Sequence, residues 1–515
     1  MGYGESILTR GNSMHLGELI ADLEIARIKG EVNLEVEGLA YDSRKVESNF
    51  VFVAISGFRE DGHQFIAQAI EKGARVIVVE KDISISSIPQ NVVLIKVPCS
   101  RLALAQLSNC WYRFPSREIK MIGITGTNGK TTTTYLVESI LKRAGFRVGK
   151  ISTIDYTLGE DFSPSSITTP ESQDLQGILK TMVDRNLDYA VMEVSSHSLA
   201  LNRVEGVEFD RAVFTNLSPE HMDFHKSWGE YLKAKACLFE KLGKGARKRI
   251  SKKAIVNIDD PVADYLIDRT SSEVITYAIK KKADVHGRIL EMTSRGTLFI
   301  LEGEKKKRIN LSLLGLHNVY NALAAASIAL EEDIPIYLIE EGLEEVKRIP
   351  GRLEPIDNKN GFNIFVDYAH TEDGLKKVLQ TLQAIVKGNL IVVFGCGGDR
   401  DSQKRLLMGK AALKLADYSV ITSDNPRSED PGDIIAQIEK GIKEEGGKKG
   451  RDYSIVVDRK EAIKSGLEKM QKGDTLLIAG KGHEKVQIFK DKVVEFDDRK
   501  VVRNLLGAHK NVNRV

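Results

Sequence analysis

Residues Met121 to Thr132 read MIGITGTNGKTT, an apolar run followed by two spaced glycines, a lysine and a pair of threonines. That order suits an anion. Gly126 and Gly129 let the backbone curl so that its N–H groups face a phosphate, and Lys130 supplies a point charge. The helix that follows adds its N-terminal dipole, and a Thr hydroxyl can hold Mg²⁺. The loop Gly126, Thr127, Asn128, Gly129, Lys130, Thr131 and Thr132 is therefore a candidate nucleotide-phosphate site. It departs from the general GxxxxGK spacing, because Ile124 stands where the first glycine belongs. A turn that merely caps a helix is the plainer reading, and the Gly-Lys-Thr-Thr context speaks against it.

Other residue types point the same way. Glu193 closes the buried run Asp188 to Val194, where an acidic Mg²⁺ ligand facing the loop is expected; a surface carboxylate at a strand end is the alternative. His221 and His225 have the i,i+4 spacing of a zinc site, but Met222 replaces the glutamate that a metalloprotease uses, so zinc hydrolysis is rejected. His225 reads as a structural histidine. Lys235 lies in an amphipathic stretch, and composition alone places it at solvent. Arg400, Asp424, Asn425, Pro426, Arg427, Gly480 and Glu484 all fall just after expected strands, where open parallel sheets bind ligands.

Strands and helices must hold these groups in place. A chain of 515 residues has room for about three domains of roughly 150 residues each. Residues 1–115 mix short strands (Val51 to Ala54, Ala74 to Val79) with helical stretches such as Gln64 to Lys72, a small α/β domain. Residues 116–350 alternate apolar strands with long helices, the pattern of a parallel P-loop sheet covered on both faces. An antiparallel hairpin turning at Ser294-Arg295-Gly296 is appended, and a helix follows from His317 to about Glu331. Residues 351–515 form a doubly wound, Rossmann-like α/β domain, with strands near Asn363 to Val366, Asn389 to Phe394, Tyr418 to Thr422, Ile455 to Val457 and Thr475 to Ile478.

Composition narrows the classes further. Lys+Arg 75 against Asp+Glu 72 leaves a formal charge of only +3, so no polycationic surface for nucleic acid is expected. The basic runs Lys244 to Lys253 and Lys443 to Arg451 read as solvated loops. Four scattered cysteines without a CxxC pair argue against a disulfide framework or a Cys-ligated zinc. No run is long enough to span a membrane, and the N-terminus has no signal-peptide apolar core. Gly2 and Ser6 satisfy a bare myristoylation pattern, but nothing basic follows to supply a second anchor. A protein of the reducing cytoplasm is expected.

The loop TGTNGKTT resembles the ATP loop shared by Mur ligases and folylpolyglutamate synthases. Further blocks run the length of the chain: YDSR from Tyr41, MEVSSHSL from Met192, TNLSPEHMDFH from Thr215, YLKAKACLF from Tyr231 and LGLHNVYNALAA from Leu314. GRLE from Gly351, DYAH from Asp367, GCGGDRD from Gly395, DNPRSEDP from Asp424 and AGKGHE from Ala479 complete the set. Together they are similar to the Mur ligase family, and within it to the members that add the third peptide residue.

The resemblance implies specific roles. Ser43 would touch the UDP-MurNAc part of the substrate, and Thr168, Thr169, Ser195 and Arg203 its peptide and carboxylate. Leu201 stands where the family often has a glutamine. Asn318 and Arg352 would contact nucleotide, with Lys130, Lys235 and Arg352 catalytic. Thr131, Glu193, His221 and Lys235, as a CO2-derived carbamate, would hold Mg²⁺. The DNPR block accompanies meso-diaminopimelate, whereas lysine-adding members usually lack that arginine. The chemistry agrees, because diaminopimelate is lysine with one more carboxylate, and a planar guanidinium binds carboxylate bidentately. Glu484 would then pair with the far ammonium group. The activity implied is ATP-dependent, ADP-forming addition of meso-diaminopimelate to UDP-N-acetylmuramoyl-L-alanyl-D-glutamate, through an acyl phosphate, in peptidoglycan biosynthesis. The same ligase with L-lysine as acceptor, a folylpolyglutamate synthase and a P-loop ATPase that remodels a partner are the alternatives. A monomer is expected.

Overall fold

The computed structural model describes residues 13–57, 60–84, 88–165, 167–244 and 248–512. The Gly2 and Ser6 positions lie outside them. Three large sheets, beside two small two-stranded ones, organise the described residues in sequence order. The first, of five strands, is parallel from Gly38–Ala40 through Phe50–Val53 and Val76–Val79 to Val93–Lys96, with Arg27–Lys29 added antiparallel at the edge.

Eleven strands form the second sheet. At its centre Lys120–Thr125 lies between Tyr189–Glu193 and Arg211–Phe214, parallel to both. Side chains alternate faces along such a strand, and each face has its own core. Ile122 and Ile124 pack with Leu136 and Ile140 of the helix Lys130–Arg143. On the opposite face Met121 packs with Leu179 and Met182 of the helix Ser172–Asp184. Burial on both faces is why these strands read as continuous apolar runs.

The expected hairpin is present as Val285–Thr293 paired with Gly296–Glu302, and a third antiparallel strand, Lys306–Leu311, extends it. An antiparallel pair at the other edge, Asp155–Leu158 with Asp161–Pro164, had no strong apolar pattern because most of Asp161–Pro164 is exposed. The helix expected from His317 spans Leu316–Leu330.

In the third sheet Thr475–Ala479 inserts between Asn363–Asp367 and Leu390–Phe394, followed by Tyr418–Ile421 and Tyr453–Ile455, all parallel. The strand expected at Ile455 to Val457 ends at Ile455. Loops 368–371, 395–401, 422–427 and 480–484 therefore gather at the carboxyl ends of one sheet.

One expectation is corrected here. The run Lys244 to Lys253 is not a solvated loop where it is described. Lys248 and Lys252 are nearly buried, and both donate to Asp210, itself 1% exposed, at 2.5 Å. Lys253 pairs with Glu331. Local composition could not register this, because Asp210 pays for burial of its charge with partners about forty residues away. Lys443 and Arg451 in the other run are exposed. No helix among the described residues is long and apolar enough to cross a membrane.

Candidate active site

The phosphate loop joins the strand Lys120–Thr125 to the helix Lys130–Arg143, whose N-cap, Gly129, takes φ 89°. The loop 215–216 pins it: Thr127 N donates to Asn216 O at 2.8 Å, and Thr215 Oγ1 donates to Asn128 O at 2.7 Å. Gly126 is required at this crossing. Its φ is 147°, and a Cβ there would stand 1.9 Å from Thr215 Oγ1. Lys130 Nζ donates to the carbonyls of Gly126 and Thr127, both at 2.9 Å. Burial holds its pKa below that of an ordinary lysine, against the charges of Glu193 and Glu220.

Glu193 sits where the parallel register puts it, paired with Ile124 at the mouth of the loop. It is 1% exposed. Its two oxygens accept from Thr153 N at 2.8 Å and Thr153 Oγ1 at 3.1 Å. His221, in a left-handed conformation at φ 59°, packs edge-on against His197. His225 is buried and its Nε2 lies 2.9 Å from Ser196 Oγ, consistent with a structural role.

Lys235 departs from what composition suggested. The helix Trp228–Lys241, capped by Ser227, buries Tyr231, Ala234, Lys235, Leu238 and Phe239 as one stripe. Lys235 is 1% exposed, and its Nζ donates to Gly126 O at 2.8 Å. Burial, reinforced by the charge of Lys130, drives its pKa well below the ordinary lysine value. A neutral amine is what carbamate formation needs.

These groups line or underlie one cleft of about 690 Å³, which holds the loop from Thr127 to Thr132, Thr168, Glu193, His221, Asn318 and Arg352. Asn318 is buried, donates from Nδ2 to Leu314 O at 2.8 Å and accepts from Asn321 Nδ2 at 3.0 Å. Arg352 reaches across from the third sheet's side. Its Nη2 donates to Thr131 Oγ1 at 3.2 Å, and its guanidinium stacks 4.8 Å from the Tyr368 ring centroid.

The remaining expected residues, Ser43 excepted, form two clusters outside the cleft lining. In one, Thr169 Oγ1 donates to Glu193 O at 2.9 Å and lies 3.4 Å from Ser195 Oγ. Arg203 and Arg101 share Glu171, at 3.2 and 3.0 Å. Ser43 is apart from these, donating to Gln68 Oε1 at 2.7 Å. Nearby, Tyr41 OH donates to Asp174 Oδ2 at 2.5 Å, tying the first unit to the second.

The other cluster crowns the third sheet. Arg427 takes φ 53°, its N donates to Ile488 O at 3.0 Å and its Nη1 to Gly398 O at 2.7 Å. Burial and the neighbouring Arg400 lower its pKa. Asn425 donates to Glu484 Oε2 at 2.7 Å. Asp424 lies against Gly480, where a Cβ would stand 2.3 Å from Asp424 Oδ2. Pro426 O stands 1.9 Å from where a Cβ would lie on Gly398. Arg400 is exposed, with Nη1 on Asp399 O at 3.2 Å.

Sequence reasoning missed two contributors. Asp373 crosses the cleft to accept from Asn128 Nδ2 at 3.0 Å and Ser218 Oγ at 2.8 Å, and nothing near it in sequence signals that contact. Lys481 is fully buried beside Asn425 and Glu484; the glycines flanking it were the only cue.

A phosphate loop on one parallel sheet, roofed by a second α/β unit that carries a mixed-charge pocket, defines a P-loop enzyme assembled from several domains. The particular family follows from comparison. Residues 35–112 match the Mur ligase family catalytic domain, 124–329 the Mur ligase middle domain and 351–482 the Mur ligase glutamate ligase domain. The chain belongs to the Mur ligase family. It is 44% identical to the UDP-N-acetylmuramoyl-L-alanyl-D-glutamate–2,6-diaminopimelate ligase of Clostridium botulinum, over 96% of this chain and 99% of that one. The enzyme of the same name from Caldanaerobacter subterraneus is 44% identical, over 93% and 96%. A solved structure of a ligase with this name superposes with a TM-score of 0.67 at 30% identity, covering 97% of this chain and 100% of that one.

Proposed function

We propose that this chain is an ATP-dependent, ADP-forming ligase that adds meso-diaminopimelate to UDP-N-acetylmuramoyl-L-alanyl-D-glutamate, with domain boundaries near residues 115 and 350. The observation that carries it is the hydrogen bond from Arg352 to Thr131, which draws the amino-acid pocket's domain onto the phosphate loop. A partner-remodelling ATPase has no use for that pocket.

The loop N–H groups and Lys130 bind the nucleotide phosphates, and Arg352 reaches the same site from the opposite domain. The γ-phosphoryl of ATP passes to the side-chain carboxylate of the D-Glu residue, because a free carboxylate is a poor electrophile. The acceptor's amine then attacks the acyl phosphate, the tetrahedral intermediate collapses, and phosphate leaves as the amide forms. Ser43, Thr168, Thr169, Ser195 and Arg203 hold the UDP-linked peptide. Arg427 and Arg400 face the acceptor's far carboxylate, and Glu484 its far ammonium. L-Lysine would offer no far carboxylate to the half-buried Arg427 guanidinium, at a cost of about 1 to 3 kcal/mol.

Thr131, Glu193, His221 and a carbamylated Lys235 would hold Mg²⁺. This donor set, mostly hard oxygen, fits that ion. Bound there, the ion supplies neutralisation of phosphate charge. A charged, nucleotide-linked substrate does not cross a membrane unaided, which favours the cytoplasm; a monomer with no membrane span and no nucleic-acid partner is part of the same reading.

The test is product mass and phosphate release with UDP-MurNAc-L-Ala-D-Glu, ATP and Mg²⁺, adding meso-diaminopimelate or L-lysine. Product with diaminopimelate and little with lysine is expected. Product mainly with lysine would overturn the acceptor assignment, and acceptor-independent ATP hydrolysis the ligase itself.

A further inference from the structure

Lys481 is the one residue of the AGKGHE block that is fully buried, charged and assigned no part in binding. Its three donors are all used. Nζ donates to Asn425 Oδ1 at 3.1 Å, Glu484 Oε2 at 3.2 Å and Val486 O at 2.5 Å. These acceptors belong to three separate segments: the loop after Tyr418–Ile421, the loop after Thr475–Ala479, and the start of the strand Val486–Ile488.

The consequences reach both charged ends of the pocket. Asn425 Oδ1 accepts twice, from Lys481 and from Ile488 N at 3.0 Å. An amide whose oxygen is claimed by two donors cannot flip. Its Nδ2 is thereby forced toward Glu484, where it donates to the same Oε2 that Lys481 contacts. One carboxylate oxygen is immobilised by two donors, which keeps Oε1 available for a further donor. The strand held through Val486 also fixes Arg427, whose N donates to Ile488 O.

We propose that Lys481 is the positioning residue for acceptor recognition: it locks Asn425 and Glu484 so that one carboxylate oxygen is presented to the far ammonium of the acceptor, in register with Arg427. This rests on the diaminopimelate-ligase reading above. Lys481 touches no substrate. Its effect passes through Glu484, so removing it should erase selection for the far ammonium and leave the nucleotide site alone.

The experiment compares meso-diaminopimelate with 2-aminopimelate, which keeps the reacting amine and both carboxylates but lacks the far ammonium. Kinetics are measured on the full-length protein and on Lys481→Met. The wild type should prefer diaminopimelate by about 100-fold in kcat/KM, the size of a lost charged contact. The variant should lose at least about tenfold of that preference with KM for ATP unchanged. Lys481→Gln, a shorter neutral side chain that leaves Asn425 and Glu484 in place, carries the same expectation if Lys481→Met does not fold. A lysine that only props up the strand would lower both acceptors equally, and that result overturns the positioning role while leaving the ligase reading intact. A wild type that couples neither acceptor overturns both.

Discussion

Lys130 and Lys235 donate to the same atom. Both Nζ groups converge on the carbonyl oxygen of Gly126, at 2.9 and 2.8 Å. Two cations this close repel, and the burden falls on the buried Lys235, whose pKa is driven well below the ordinary value by burial first and by Lys130 second. Converting Lys235 to an anion would turn that repulsion into attraction.

Lys235→Ala should therefore be nearly inactive, and a short added carboxylate should restore part of the rate by standing in for the carbamate. Acidification should mimic the loss. A lysine with a lowered pKa is neutral above that pKa and regains its proton as pH falls through it, which opposes carbamate formation. Full activity of Lys235→Ala without rescue would end the carbamate assignment.

Arg427→Ala should lower kcat/KM for meso-diaminopimelate by about 10- to 100-fold, the range of a charge-assisted bidentate contact. KM for ATP should hardly change, because Arg427 lies outside the nucleotide cleft lining. Steady-state kinetics with each substrate varied in turn checks this, and equal losses toward both would contradict the role.

Asp498→Asn should destabilise the C-terminal unit by about 3 to 5 kcal/mol, because it strips a buried guanidinium of its counter-charge. Arg459 and Asp498 are each 0% exposed and meet through two bonds of 2.8 Å. Arg459 also donates to Ala479 O at 3.0 Å, directly before Gly480. Denaturant titration should show the loss, and an Arg459→Met, Asp498→Leu double variant should recover part of it, since a well-packed apolar pair needs no counter-charge.

Several features were legible because their determinants are contiguous. The phosphate loop needs one strand, one turn and one helix in succession, and the order of Gly126, Gly129, Lys130 and Thr131 encodes all three. The position of Glu193 beside the loop was readable because a buried apolar strand parallel to the loop's own strand brings its last residue there. Lys235 was half legible: its place on the stripe of Tyr231, Ala234 and Leu238 marks the helix face that packs inward, but lysine in an amphipathic helix is ordinarily solvated.

What the sequence determined by itself was the central strands and helices and the motifs they carry, since apolar period, glycine placement and loop chemistry act over a few residues. Only the tertiary structure decided which motifs meet. Asp373 accepts from Asn128 across 245 positions, Arg352 reaches Thr131 across 221, and Lys481 finds Asn425 across 56. Such partners are chosen by sheet order and domain packing. Burial of a charge is a property of everything that surrounds it, and no local stretch of sequence contains that information.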